Sequence, residues 1–220
     1  MNKQDILNAY NFRHACKLYD PSKKISDEDL RFILETGRLS PSSFGLEPTR
    51  FVVVKKPEIL QFIGENGWGV GAKATDASDL VLILARKGKA LQEDTPYFAK
   101  AFRELRGLSD EIFNAYTGFF KNFRLSDFDL NTERAFDDWS AHQSYIALGN
   151  MMTSAAMIGI DSTPMEGFPM EKMSAYLAEQ GILNRDEFNL VTMLALGYRG
   201  EEPKHAKTRL TFDDVVTFVR

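Results

Sequence analysis

A long stretch without charged side chains constrains the fold of this chain more than any other feature. No Asp, Glu, Lys or Arg occurs between Asp138 and Asp161, and the stretch is long enough to cross a bilayer as a helix. It also carries Ser, His, Gln, Asn and Thr side chains, which a lipid-facing helix would leave unpaired. We therefore expect a protein-covered helix over residues 134–159 and no membrane partner.

The expected helix is apolar around most of its circumference, so it needs cover on every side. About 25 residues form a rod of roughly 38 Å, which is comparable with the diameter of a small domain. One chain of 220 residues would struggle to cover such a rod along its whole length. The pattern favours a homodimer in which a second copy supplies the cover, with a central helix of a monomer as the alternative.

The remaining pattern mixes helices with short apolar strands, which indicates one α/β or α+β domain over residues 1–220. Ser26 and Asp29 form a helix-start signal, and Ile25 and Leu30 stand where a hydrophobic staple would place them. The expected helices are 5–13, 26–40, 57–65 and an aromatic-rich region over 110–131. The expected strands are 50–55, 79–86, 188–198 and, at the C-terminus, 214–219.

Composition excludes several classes of function. The net charge of −4 provides no basic field for nucleic acid. The three histidines have no ligand spacing and the chain has one cysteine, so we expect no metal site. Cys16 cannot form an internal disulfide, and the first residues carry no apolar signal core, so we expect a reducing, cytoplasmic location.

Four short segments carry residues suited to binding an anion or a planar ligand. Arg13 and Lys17 flank Cys16, while Lys207 and Arg209 lie two apart and would share one side of an extended segment. On their own, such pairs are more typical of a solvated surface, and a single cysteine is more typical of a buried side chain than of a nucleophile. Hydroxyls follow a helix end in "SPSSFG", and "PMEG" joins a proline to a glycine; turn chemistry alone would also explain both.

Taken in order, the segments "RHACKLYD", "SPSSFGLEP", "AKATDAS", "WSAHQSYIALGN", "GIDSTPMEGF" and "AKTRL" resemble the FMN-dependent nitroreductase family over nearly the whole chain. The resemblance implies an α+β fold with a central, mainly antiparallel sheet flanked by helices. It also implies an intertwined homodimer with a long central helix and two FMN sites at the interface, each built from both subunits. The C-terminal segment 205–220 would wrap the partner subunit.

The resemblance also implies which residues bind FMN. The backbone N–H of Glu166 would face flavin N5, which would make the backbone rather than the carboxyl group the working part of Glu166. Residues 41–43 would come from the other subunit. The full set implied to contact FMN is Arg13, His14, Ala15, Lys17, Pro41, Ser42, Ser43, Lys73, Gln143, Pro164, Met165, Glu166, Gly167, Lys207 and Arg209.

The sequence departs from the family pattern at Gly45, Glu47, Thr49 and Val70, which leaves the second-subunit contacts and the substrate preference open. The function implied is transfer of hydride from NADH or NADPH to FMN, and then to a nitroaromatic, a quinone or a related acceptor, by a ping-pong mechanism. A flavin-binding protein without turnover and a specialised family member are the alternatives. The aromatic region, over 112–139, would form either a mobile wall of the substrate pocket or part of the core.

Overall fold

A computed structural model describes residues 2–220 of the chain. Its strands are Thr49–Val54 (β1), Asp79–Arg86 (β2), Asp161–Met165 (β3) and Phe188–Gly197 (β4). Its α-helices are Lys3–Phe12 (α1), Asp27–Arg38 (α2), Pro57–Asn66 (α3), Lys73–Asp76 (α4), Pro96–Ala99 (α5), Asp110–Asn122 (α6), Glu133–Met157 (α7), Met170–Glu179 (α8) and Phe212–Val215 (α9). None of the helices described within residues 2–220 is both long and apolar enough to cross a membrane.

The four strands form one antiparallel sheet in the order β1-β2-β4-β3. Because side chains alternate along a strand, β2 and β4 supply apolar side chains to both faces of the sheet. Leu80, Leu82 and Leu84 pack on one side with residues of α3 and α8, while Val81 and Ile83 pack on the other with residues of α2 and α7. The sheet is thus covered by helices on both faces, which confirms the predicted α+β class.

Local chemistry fixes the helix starts. The N–H of Asp29 donates to Ser26 Oγ over 3.0 Å, and Ile25 and Leu30 are both buried in one cluster, as the sequence predicts. Helix α1 begins earlier than expected because Asn2 and Asp5 form a reciprocal capping box. The helix α2 ends at Arg38 rather than near Ser40.

The helix α7 spans 25 residues, close to the predicted 134–159. One face packs on α2 and the sheet, and another face leaves Tyr145 and Ile146 exposed in the single chain. The position of this helix at the centre of a dimer stays a prediction.

An aromatic cluster lies beyond one end of the sheet. Helix α6 continues as a π-helical turn, Phe123–Asp127, which agrees with the expected helical region 110–131. Phe120 lies at the centre of the cluster and is fully buried, whereas Phe119 is 60% exposed. Its buried members come from several elements: Leu46, Leu91, Phe98, Ala101, Phe102, Phe113, Phe120, Leu130, Phe136 and Trp139. The region is therefore partly core and partly surface.

One strand is missing from the sequence analysis, and one expected strand is absent from residues 2–220. Residues 161–165 form a strand that has no periodic apolar pattern, because "DSTPM" is mostly polar and contains a proline. Residues 214–219 were expected to form a strand, but α9 ends at Val215 and residues 216–220 are unpaired with any strand of residues 2–220. Neither edge strand of the sheet, β1 or β3, pairs with these last residues.

Candidate functional site

The segment that follows α1 is held against the edge of the sheet. Ala15 forms a parallel bridge with Ser162, and the hydroxyl of Thr163 donates to the carbonyl of Cys16 over 2.9 Å. Tyr19 is buried and donates from its hydroxyl to the carbonyl of Ala195 over 3.1 Å. These bonds bring the "RHACK" segment beside β3, although the two are more than a hundred residues apart in the chain.

Three cations converge at one end of this segment. Arg13, Lys207 and Arg209 line a cavity of about 560 Å³ together with His14, Ala15 and Pro164. Burial lowers the pKa of Lys207, and the positive charges of Arg13 and Arg209 lower it further. Within residues 2–220 none of the three forms an ion pair with a carboxylate. An uncompensated cluster of this kind is suited to a phosphate group.

Two more predicted cations lie nearby. Lys17 lines an adjoining cavity of about 670 Å³, which Arg209, His14 and Ala15 also line. Lys73 donates from Nζ to the carbonyl of Gly69 over 3.2 Å. Its positive charge is close enough to Cys16 to lower the pKa of that thiol slightly, against the larger effect of burial. The structure thus places five of the predicted basic residues around one region of the fold.

The "PMEG" stretch leaves the end of β3 next to the cavity. Met165 is buried, and its carbonyl accepts the hydroxyl of Thr192 over 2.9 Å. The backbone N–H of Glu166 has no hydrogen-bond partner among residues 2–220. The carboxylate of Glu166 accepts the hydroxyl of Tyr145 from α7. The side chain is therefore engaged in holding the loop, while the N–H is available.

Tyr145 is a stable donor in this pair. Burial, the hydrogen bond to Glu166 and the charge of that carboxylate together raise the pKa of Tyr145 to about 12. The phenol is therefore protonated at neutral pH and remains a hydrogen-bond donor to the Glu166 carboxylate.

The structure shows why position 167 requires a glycine, because its backbone packs directly against that of Gly69. A Cβ atom added at Gly167 would lie 2.6 Å from the Cα of Gly69, and one added at Gly69 would lie 2.9 Å from the Cα of Gly167. The N–H of Gly69 donates to the carbonyl of Gly167 over 2.7 Å. The two glycines therefore join the glycine-rich loop 66–73 to the "PMEG" loop, and the exposed Trp68 lies at this junction.

A second set of predicted residues lies in a different place. Pro41, Ser42 and Gln143 line a separate cavity of about 270 Å³. The N–H of Ser43 donates to Gln143 Oε1 over 2.8 Å, so the amide of Gln143 supports the 41–43 loop. One chain does not bring this set into the cavity of the cations.

The departures from the family pattern have local partners. Gly45 has φ +59°, and a Cβ there would lie 2.5 Å from Arg106 Nη2. Arg106 donates to the carbonyl of Gly45 and lies 3.8 Å from the carboxylate of Glu47. The hydroxyls of Thr49 and Ser144 are 3.0 Å apart, and Val70 is fully buried. These four positions thus form contacts within the chain.

Cys16 is a structural residue by its surroundings. It is 1% exposed, and its thiol donates to the carbonyl of Leu18 over 3.2 Å. Burial is the main cause that raises its pKa to about 11. A thiol that stays protonated at neutral pH is a poor nucleophile.

Sequence reasoning missed three residues that organise the site: Tyr145, Asp161 and Arg199. Asp161 ends the uncharged stretch and begins a buried strand, and a buried carboxylate requires a partner. A carboxylate predicted to be buried therefore indicates a basic partner elsewhere in the chain, but the sequence does not identify Arg199 as that partner.

Comparison with known proteins decides the family. A sequence model of the Nitroreductase family matches residues 10–198. A Bacillus subtilis protein named "Putative NAD(P)H nitroreductase YfkO" is 45% identical over 218 residues, which cover 99% of this chain and 98% of the relative. The chain belongs to the nitroreductase family.

Solved structures of the family share the fold. A Staphylococcus epidermidis structure described as a "putative NAD(P)H:FMN oxidoreductase" superposes with a TM-score of 0.79 at 20% identity and covers 100% of this chain and 98% of its own. An Exiguobacterium sibiricum "putative nitroreductase in complex with FMN" gives a TM-score of 0.74 at 21% identity, with 100% and 98% covered. The predicted family, fold class and oxidoreductase class are thereby confirmed. The individual site residues stay predictions.

Proposed function

We propose that this chain is an NAD(P)H-dependent FMN oxidoreductase that passes reducing equivalents to nitroaromatics, quinones or related small acceptors. The observation that carries the proposal is the cluster of Arg13, Lys207 and Arg209 around a cavity that also adjoins Pro164. A phosphate bound by these three cations would leave the rest of a flavin beside the "PMEG" loop. When bound, FMN supplies hydride acceptance and transfer.

Different residues of the chain would bind the phosphate, the ribityl chain and the ring of FMN. Arg13, Lys207 and Arg209 would bind the phosphate, with His14 and Ala15 in the wall of the same cavity. Lys17 and Lys73 would lie beside the ribityl chain and the pyrimidine edge. Residues 164–167 would follow the flavin ring, with the Glu166 N–H directed at N5. A donor there favours the electron-rich reduced ring, and the Glu166 carboxylate, bound to Tyr145, has no part in the transfer.

A homodimer is part of this proposal. The 41–43 loop and Gln143 lie in another cavity of the same chain, so they can complete a flavin site only in a partner subunit. Three surfaces support the assembly: the outer edge of β1, which pairs with β2 alone in residues 2–220, the exposed face of α7, and the exposed apolar side chains after Leu210. We propose that residues 205–220 wrap the partner.

The acceptor would enter over the flavin after NAD(P)⁺ has left, because one open site serving both molecules implies ping-pong kinetics. A cytoplasmic location, where NADH and NADPH are available, is part of the same proposal. The free, buried Cys16 is consistent with a reducing compartment.

Three measurements test the function. The purified protein should be yellow with one FMN per chain, and NADH or NADPH should bleach the bound flavin in the absence of oxygen. An acceptor should then restore the colour. A protein that binds FMN but is not bleached by either nucleotide would be a flavin-binding protein without turnover. A colourless protein that binds no added FMN would end the proposal.

The aromatic region offers a test of the acceptor wall. Phe119 is exposed and contacts Phe44 at a ring distance of 5.8 Å, whereas Phe120 is buried within the cluster. Phe119→Ala should change the ratio of kcat/KM between a nitroaromatic and a quinone with little effect on Tm. Phe120→Ala should destabilise the fold by about 3–5 kcal/mol. If both variants lose stability and neither changes acceptor preference, the whole region is core.

A further inference from the structure

Arg199, just after β4, neutralises a buried carboxylate at the start of β3. Asp161 is 3% exposed. The Arg199 side chain donates to it from Nε over 3.1 Å and from Nη2 over 2.8 Å, and the Arg199 backbone N–H donates over 3.1 Å. A buried charge requires a partner of this quality.

The same guanidinium group reaches two other parts of the chain. Its Nη2 donates to the carbonyl of Phe12 over 3.3 Å, and its Cζ lies 4.2 Å from the centre of the Phe12 ring. Its Nη1 donates to Glu202 over 2.9 Å. Phe12 directly precedes Arg13, and Glu202 begins the segment that leads to Lys207 and Arg209. Arg199 therefore joins the two chain segments that carry the phosphate-binding cations.

The charge of Arg199 is already compensated, in contrast to that of its neighbours. Asp161 and Glu202 both contact it, and His14 Nδ1 lies 3.8 Å from Asp161 Oδ1. Arg13, Lys207 and Arg209 have no such carboxylates among residues 2–220. Although Arg199 lines the same cavity, its donors Nε, Nη1 and Nη2 are engaged by the protein.

We propose that Arg199 is a positioning residue for the phosphate group of the flavin. It stays bound to Asp161 and fixes Arg13 relative to Lys207 and Arg209, so that all three can contact one phosphate. The inference rests on the proposed FMN function and adds a role that does not involve contact with the flavin.

The phosphate group itself gives the test, because riboflavin lacks it and FMN carries it. The dissociation constants of both flavins are measured by fluorescence quenching on the full chain, and their ratio reports phosphate recognition alone. In Arg199→Gln the ratio of the riboflavin dissociation constant to the FMN dissociation constant should fall by about tenfold, which corresponds to one misplaced charge-assisted hydrogen bond. The dissociation constant of riboflavin itself should change little.

Two further variants remain informative if the single substitution fails to fold, since it leaves Asp161 buried without a partner. Asp161→Asn combined with Arg199→Gln removes both charges, and Arg199→Lys keeps the charge but loses the fork that reaches Phe12. Both should reduce the ratio as well. Arg185→Gln is the matched control, because Arg185 pairs with Glu171 on the surface over 2.8 Å, and its ratio should equal that of the wild type.

The outcomes separate this inference from the proposed function. A wild-type chain that binds neither flavin would overturn both. A wild-type chain that prefers FMN, together with folded Arg199 variants that keep the same preference, would overturn only the positioning role. Equal weakening of FMN and riboflavin in every Arg199 variant would show that the residue supports the fold without organising the phosphate site.

Discussion

The segments Asp161–Gly167 and 205–220 both carry predicted flavin contacts, but they differ in how much of their cover comes from their own chain. The first pairs with β4, receives the Tyr145 hydroxyl and meets Gly69 backbone to backbone. The second leaves most of its apolar side chains in solvent: Leu210, Phe212, Val215, Phe218 and Val219, the last 95% exposed. Apolar side chains exposed in such number are typical of a surface that another chain covers. The first segment is thus covered by its own chain, whereas the second would gain its cover only in the proposed homodimer.

Removing residues 210–220 should have the largest effect. We expect complete loss of the dimer at micromolar concentration, because obligate interfaces commonly bury more than about 2,000 Å² and these residues supply the exposed apolar surface. Light scattering gives the mass, and absorbance near 450 nm gives the bound flavin. A truncated chain that remains dimeric and yellow would show that this segment has no role in assembly.

Met165→Pro, in the segment 161–167, should have the second largest effect. Proline removes the N–H that Met165 contributes to the β3–β4 pairing, and the "PMEG" loop begins at that point. We expect the rate of flavin reduction by NAD(P)H to fall by about a hundredfold, as a misplacement near 1 Å can produce. Stopped-flow absorbance measures the rate once FMN binding has been verified. A rate near that of the wild type would mean that the loop geometry does not matter.

Arg209→Ala should weaken FMN binding about ten- to hundredfold, the value of one charge-assisted hydrogen bond. Arg185→Ala is the control, since Arg185 is an exposed arginine paired with Glu171 and remote from the cavity. Fluorescence titration with FMN gives both constants. Equal affinities in the two variants would make Arg209 an ordinary solvated charge.

Glu166→Gln should have the smallest effect. The backbone N–H is retained, and the amide oxygen of Gln can still accept the Tyr145 hydroxyl. We expect flavin reduction to slow by less than about threefold, far from the roughly 10²–10⁴-fold of an essential acid or base. If Glu166→Gln proved more harmful than Met165→Pro, the role would pass from the backbone to the carboxyl group.

Sequence patterns predicted the features that depend on neighbouring residues. The Ser26 cap, the apolar runs of β1, β2 and β4, and the charge-free helix α7 all have local signals. The convergence of Arg13, Lys207 and Arg209 was accessible through the family resemblance, because no spacing within the chain shows that residues 13 and 207 meet.

Features that depend on tertiary contact could not be predicted. The strand at residues 161–165 exists because β4 offers an edge to a segment with little strand propensity of its own. The Asp161 and Arg199 pair joins residues 38 positions apart. The C-terminal segment has the composition of a strand, but a strand also needs a partner to pair with, and no strand of the described sheet pairs with it.

The buried Cys16 can serve as a natural probe of local opening in this part of the chain. The chain has one cysteine, it lies between Arg13 and Lys17, and its carbonyl is bonded to Thr163. A thiol reagent can reach the sulfur only when this segment leaves the sheet edge, so the labelling rate measures the free energy of that opening without any engineered tag. Saturation with flavin should slow the labelling in proportion to how tightly the ligand holds the segment closed.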